Sequence, residues 1–211
     1  ALEPDLVRAA AAQLARLGEL QDPDYIRPGQ DGTLWGQDFS ASQGPMVSPA
    51  AFRDLVVPFM KSRTASVKRR GQYVVQHACG NNWPLLDSFV EIGFDCYQSI
   101  QKSASMDLGA VMRKYGDRMC LWGGVPVEHL VGGTPADIRA DVRAAVETAR
   151  SVHGGAGYIF GSTHSIAVST IRRSQHSTIR TSAPSRASVT RTRPSAHFTA
   201  FSTRLPRISS T

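Results

Sequence analysis

Apolar residues recur at helical spacing over residues 4–20, where Leu6, Ala10, Leu14 and Leu17 fall in register and Pro4 suits a first turn. A loop with Pro23, Pro28 and Gly29 follows, and the short apolar run Leu34–Phe39 predicts a strand. Ser48-Pro49 is a cap-plus-proline helix start. That helix is predicted to run to about Arg70, with an irregularity near Pro58. The basic run Lys68-Arg69-Arg70 suits its carboxyl end, and Gly71 its stop. The same grammar then repeats. Strand Tyr73–Gln76 precedes a helix over Pro84–Ile92, and strand Phe94–Gln98 precedes a helix over Met106–Tyr115. Strand Arg118–Trp122 leads through Gly123-Gly124 to Thr134-Pro135, a capped start whose helix carries the stripe Ile138, Val142, Ala145 and Val146. Strand Gly157–Gly161 closes the series.

Strands alternating with helices imply βαβ units and a parallel sheet. Both a (β/α)₈ barrel and an open doubly wound sheet fit about five such units. In either, function sits at the carboxyl ends of the strands. Those ends carry Asp38, then His77 and Cys79, then Gln98 and Gln101, then Gly123-Gly124, then Ser162-Thr163-His164. Polar, ligand-capable groups thus collect where chemistry is expected, while the strand bodies are apolar.

His77 and Cys79 are the sharpest pair. Residues two apart in an extended segment point to the same side, so an imidazole and a thiol leave the strand end together. One nitrogen and one sulfur are two of the three protein ligands that a catalytic zinc site uses. A histidine held by the backbone beside an inert buried cysteine is the reading that these two residues, taken alone, favour. Asp38 suits either a substrate cation or ligand contact, or a capping role. Gln98 and Gln101 suit hydrogen bonds to a substrate edge, or plain exposure. Cys96 and Cys120 lie within strands and read as core. Gly123-Gly124 is not a dinucleotide fingerprint, because no GxGxxG follows a strand.

Composition changes the picture in one place. The formal net charge is +7 over 211 residues, but every acid lies at or before Glu147. Residues 1–170 hold 16 Lys and Arg against 17 Asp and Glu, whereas residues 171–211 hold eight Arg and no acid. The basicity belongs to the tail, so nucleic acid is not an expected partner of the folded part. Three cysteines, odd in number, point to a reducing compartment, taken as the cytoplasm. No apolar run is long enough to span a membrane. The first residue, Ala1, suits a piece of a longer protein.

The pieces from Gly36 to Ile166 resemble the carboxyl-terminal part of the uroporphyrinogen decarboxylase (URO-D) superfamily. They are Asp38 in GQDF, SPAAF at 48–52, Pro58, HACGN at 77–81, GFD at 93–95, GDR at 116–118, GGV at 123–125, GGTP at 132–135 and GYIFGSTHSI at 157–166. Each is short; their order and spacing carry the resemblance. It implies a TIM-like barrel, here partial, over residues 1–169. One branch decarboxylates uroporphyrinogen, in porphyrin biosynthesis, without metal or cofactor. The other comprises zinc-dependent methyltransferases that move a methyl group between a corrinoid and a thiol.

His77-x-Cys79 resembles the methyltransferase branch, where a late cysteine completes the site. This chain departs from that pattern: no cysteine follows Cys120, and His164 stands in the corresponding region. His164 fits either a third ligand or the late histidine of the decarboxylases. The resemblance therefore implies His77, Cys79 and His164 as metal ligands, and His77, His164 and Asp38 as catalytic groups. It implies zinc and a corrinoid methyl carrier, with a small molecule or a corrinoid protein as partner. The residues from 170 fall outside it. Of the last 41, 16 are Ser or Thr, and the segment reads as a disordered arginine-rich arm, a phosphorylatable linker, or an out-of-frame translation. The last is favoured, because relatives continue with Tyr-Asp codons that, shifted by one base, give Ile171-Arg172-Arg173.

Overall fold

The computed structural model describes residues 3–165; the tail from residue 170 lies outside them. The elements run in this order: α1 (Pro4–Tyr25), β1 (Gly32–Gly36), β2 (Ser40–Ala41), β3 (Gly44–Pro45), α2 (Pro49–Leu55), α3 (Val57–Arg69), β4 (Tyr73–His77) and α4 (Leu86–Ile92). Then follow β5 (Cys96–Ser99), α5 (Leu108–Tyr115), β6 (Cys120–Val125), α6 (Val127–Gly132), α7 (Pro135–His153) and β7 (Tyr158–Ser162).

Five strands form one sheet in the order β1-β4-β5-β6-β7, every neighbour parallel. This order decides between the two predicted architectures. A doubly wound sheet reverses its strand order at a switch point. Here each new strand adds on the same side, as in a barrel, and the fold is a partial TIM-like (β/α) barrel. β2 and β3 form a separate antiparallel ribbon, which the hydrophobic pattern did not announce.

The main core lies between the sheet's outer face and the helices. Phe52, Phe89, Tyr97, Met112, Tyr115 and Leu121 are all fully buried there. Edge-to-face contacts join Phe39, Phe52, Phe89, Phe94 and Tyr97. A smaller cluster on the opposite, inner face consists of Val75, Cys96 and Cys120, with Trp122 and Ile159 against it. Cys96 and Cys120 are core residues, as the sequence implied. Asp107 caps α5 and a Thr134–Asp137 capping box opens α7, so both helices start where side-chain oxygens satisfy free N–H groups.

Three sequence expectations change. The predicted helix 49–70 is two helices that meet at Val56, which stays in the right-handed region with a stretched φ (φ −117°, ψ −48°), because Pro58 has no N–H to donate to the preceding turn and opens a new first turn. β1 ends at Gly36 rather than Phe39, which puts Asp38 in the loop beyond it. The α1 stripe does not face the core: Leu6, Leu14 and Leu17 are 53–69% exposed, and Ala10 is exposed with them. α1 docks instead through its polar face. Arg8 reaches Asp54 at 2.6 Å, and Ser62 donates to Glu19 at 2.8 Å. Buried Asp22 takes a fork of two 2.7 Å bonds from Arg63 and a third from Ser66.

Burial alone would push the Asp22 carboxyl up, but the Arg63 and Ser66 hydrogen bonds outweigh it and hold the group below the usual carboxylate value. A lowered folded-state pKa contributes stability above the unfolded value, near 4, that is lost as pH falls through the folded one. Asp22→Asn leaves Arg63 without its charge partner and is expected to cost about 3 kcal/mol. Chemical denaturation at neutral pH measures this, and the difference from the parent chain should shrink below about pH 4.

Candidate metal centre

The site is built where β4 runs out. The β1–β4 pairing ends at Gly36 and His77, and the Gln37 N–H still donates to the His77 carbonyl at 3.2 Å. One step further the backbone pairing is replaced: the Asp38 carboxylate accepts the Cys79 N–H at 2.8 Å, as a carbonyl would in a continuing ladder. This turns the chain sharply while keeping Asp38 at the mouth, its Oδ1 3.8 Å from His77 Nε2.

The turn after Cys79 is held from inside by Asn82. Its fully buried amide donates to the carbonyls of Ala78 at 3.0 Å and Cys79 at 2.9 Å, and its oxygen accepts from Ser40. The Tyr97 hydroxyl also donates to the Ala78 carbonyl at 3.1 Å. Gly80 sits at φ +82°, and a Cβ there would lie 2.4 Å from the Ser40 carbonyl oxygen. Thus β2 and the HACGNN loop are locked together by one side-chain amide and one close backbone approach.

His77 Nδ1 is hydrogen-bonded to Gln98 Oε1, and Gln98 Nε2 donates to the Ser162 carbonyl at 3.1 Å. That second bond fixes the amide's orientation, since a carbonyl can only accept. Gln98 therefore offers His77 its oxygen, and Nδ1 must carry the proton. Nε2 is left with its lone pair facing the mouth. From the far side of the sheet comes His164, whose ring centroid lies 5.9 Å from that of His77. Ligand atoms of His77, Cys79 and His164 all lie within 4.8 Å of one another. The three residues that the sequence singled out as ligands do converge.

The surrounding charges follow. Burial raises the Asp38 carboxyl, but the Cys79 hydrogen bonds and the nearby His77 and His164 hold it below its ordinary value, so it is ionised. Burial first, then the Asp38 carboxylate, push the Cys79 thiol up to about 11. Burial and the neighbouring His77 lower His164. The glutamines expected to meet substrate hold protein groups instead. Gln98 is 8% exposed and bonded as described, while Gln101 accepts the Gly80 N–H at 3.2 Å and donates to Ser103 at 3.0 Å. Ser103 passes this on to Glu128 at 2.8 Å. Glu128 was missed, although it follows the strand end at Val125 and the rule that found the other residues would have reached it. Ser99 and Ile100, next to Gln98, take positive φ (132° and 52°), a local strain of the kind found at functional sites. A cavity of about 270 Å³ lies elsewhere, between α5 and α7, and none of the three ligand-capable residues lines it.

Parallel strands that follow one another in a single direction, with histidine and cysteine side chains gathered at their carboxyl ends, define a partial (β/α) barrel. Residues 33–175 match the sequence profile of the uroporphyrinogen decarboxylase (URO-D) family, about two thirds of the chain, and the chain belongs to that family. Among solved structures it is similar to a methyltransferase from Methanosarcina mazei, with a TM-score of 0.56 and 21% identity. The similarity covers 70% of this chain and 41% of that methyltransferase, and at this identity it concerns the fold. No curated protein matches in sequence. Among the described residues, no helix is long and apolar enough to cross a membrane.

Gly80→Ala combines a left-handed backbone with a clash on Ser40, so it should destabilise the chain by about 2 kcal/mol. The same substitution at Gly132, where a Cβ meets nothing within 4 Å, is the control and should be near neutral in thermal unfolding.

Proposed function

We propose that this domain serves zinc-assisted methyl transfer between a corrinoid and a thiol, with His77, Cys79 and His164 holding the ion. The observation that carries the reading is the convergence of one sulfur and two imidazoles within 4.8 Å. The donor set fits zinc, which takes nitrogen and sulfur ligands and in catalytic sites keeps one position open. Tetrahedral bonds of about 2.0–2.3 Å separate ligand atoms by roughly 3.5 Å, so a contraction of about 1 Å completes the set. Zinc, when bound, supplies the charge that keeps a substrate thiol deprotonated at neutral pH.

The chain's own residues do the rest. Gln98 orients the His77 ring and presents Nε2. Asp38 holds the Cys79 backbone, and Asn82 and Gln101 hold the loop that carries it. The Asp38 carboxylate compensates positive charge at the mouth. The substrate pair implied is a small thiol and a methylated corrinoid carried by a partner protein.

Decarboxylation of uroporphyrinogen is the second reading, since the matched family is described by that activity. Asp38 favours it: an ionised, half-exposed carboxylate can accept the N–H groups of a pyrrole substrate without any metal.

Metal content separates the two. Purified without chelator or affinity metal, the chain should carry about one zinc, and His77→Ala or Cys79→Ser should lose it. A metal-free parent chain would overturn the methyl-transfer reading. Gln98→Leu removes the partner that fixes the His77 tautomer and should weaken zinc affinity by about 10–100-fold in competition with a chromophoric chelator, with the fold retained by circular dichroism.

A further inference from the structure

Cys96 and Cys120 take no part in the site above, yet the fold sets them side by side. They are direct partners in the parallel register of β5 and β6. Neighbouring strands lie about 4.8 Å apart. That spacing falls within the range of roughly 4.4–6.8 Å over which a disulfide joins two Cα atoms. Both thiols point to the inner face of the sheet, in the small cluster with Val75, Trp122 and Ile159. Cys96 is fully buried, and Cys120 keeps 5% exposure.

We propose that Cys96 and Cys120 form a modification site, a dithiol that a hydroperoxide converts reversibly into a strand-to-strand disulfide.

The two sulfurs have different roles in this step. Cys120 is the more accessible. Its thiol is held below the ordinary value chiefly by the adjoining Cys96, while that same proximity, with burial, raises Cys96. The thiolate at Cys120 attacks one peroxide oxygen: an S–O bond forms, the O–O bond breaks, and the released oxygen leaves as an alcohol or water with the proton Cys120 gave up. The Cys96 sulfur then attacks the Cys120 sulfur, an S–S bond forms, and the S–O bond breaks. The hydroxyl departs as water with the Cys96 proton. Two electrons pass from the sulfurs to the peroxide. A dithiol reductant returns the pair to two thiols by exchange through a mixed disulfide. It would pin β5 to β6 two residues below Gln98, on the strand that carries the His77 partner.

Peptide mapping of the full chain after brief hydrogen peroxide treatment, without reductant and with free thiols alkylated, is the test. Trypsin separates Cys120 from Cys96 but leaves Cys79 on the Cys96 peptide, so the parent chain and a Cys79→Ser variant are mapped together. The expected result in both is a linked pair of peptides about 2 Da lighter than their sum, lost on adding dithiothreitol. Cys120→Ala should abolish it. Three outcomes would overturn the proposal: a link present in the parent but missing in Cys79→Ser, over-oxidation of Cys120 with no link, or full alkylation of both thiols after treatment. If the variants do not fold, fragmentation of the linked pair from the parent chain decides, because backbone cleavage between Cys79 and Cys96 shows which of the two carries the Cys120 peptide.

Discussion

One side-chain amide organises the mouth of this barrel. Gln98 stands on β5, accepts from His77 at the end of β4, and donates to the Ser162 carbonyl at the end of β7. To reach Ser162 it must pass the end of β6. There the chain is Gly123-Gly124, and any side chain at Gly123 would run within 2.3 Å of the Ser99 carbonyl oxygen, with Ser162 also close by. Gly123 is therefore a steric condition for the backbone approach that the amide bridge spans. The bridge in turn sets which imidazole nitrogen is free. Without it, His77 could present either nitrogen, and the geometry with Cys79 and His164 would not be unique.

Such a mouth is costly to build. Gln76 is fully buried with its oxygen unpaired among the described residues, and the Ser99 hydroxyl is likewise without a partner. Unpaired buried polar atoms cost about 1–3 kcal/mol each, and left-handed non-glycine residues a similar amount. The offset lies in the core behind the same strands. Successive side chains of a strand alternate between its faces, so Tyr97 leaves β5 on the side away from Gln98. Its ring packs edge-to-face on Phe89, which also meets Phe39, Phe52 and Phe94. A rigid aromatic layer directly behind β5 is what allows strain to persist at its carboxyl end.

Much of this was legible from residue order. Apolar strand bodies, capped helix starts and glycine stops repeat regularly enough to give five βα units in sequence, and His77, Cys79, Asp38 and His164 stand at strand ends by inspection. The boundaries of β1 were not legible, because Asp38 substitutes a side-chain oxygen for a backbone one and continues the pairing by other means. Nor was the outward face of α1. Periodicity reports that a helix has an apolar side, and it cannot say that Asp22, Arg63 and Ser66 will fix the polar side inward. The role of Gln98 was hidden for a related reason: which acceptor an amide meets depends on register across three strands, and a one-residue slip would turn it to the other face.

The departure at His164 has an electrostatic consequence for the proposed ion. A site with two thiolates neutralises a divalent cation by itself. With His164 in place of a late cysteine, only Cys79 would supply a ligand charge, and one positive charge of a bound divalent cation would be left uncompensated. Asp38, ionised and 3.8 Å from His77 Nε2, stands where that charge would be felt. A carboxylate outside the proposed ligand set would thus do the balancing that a second thiolate would do within it.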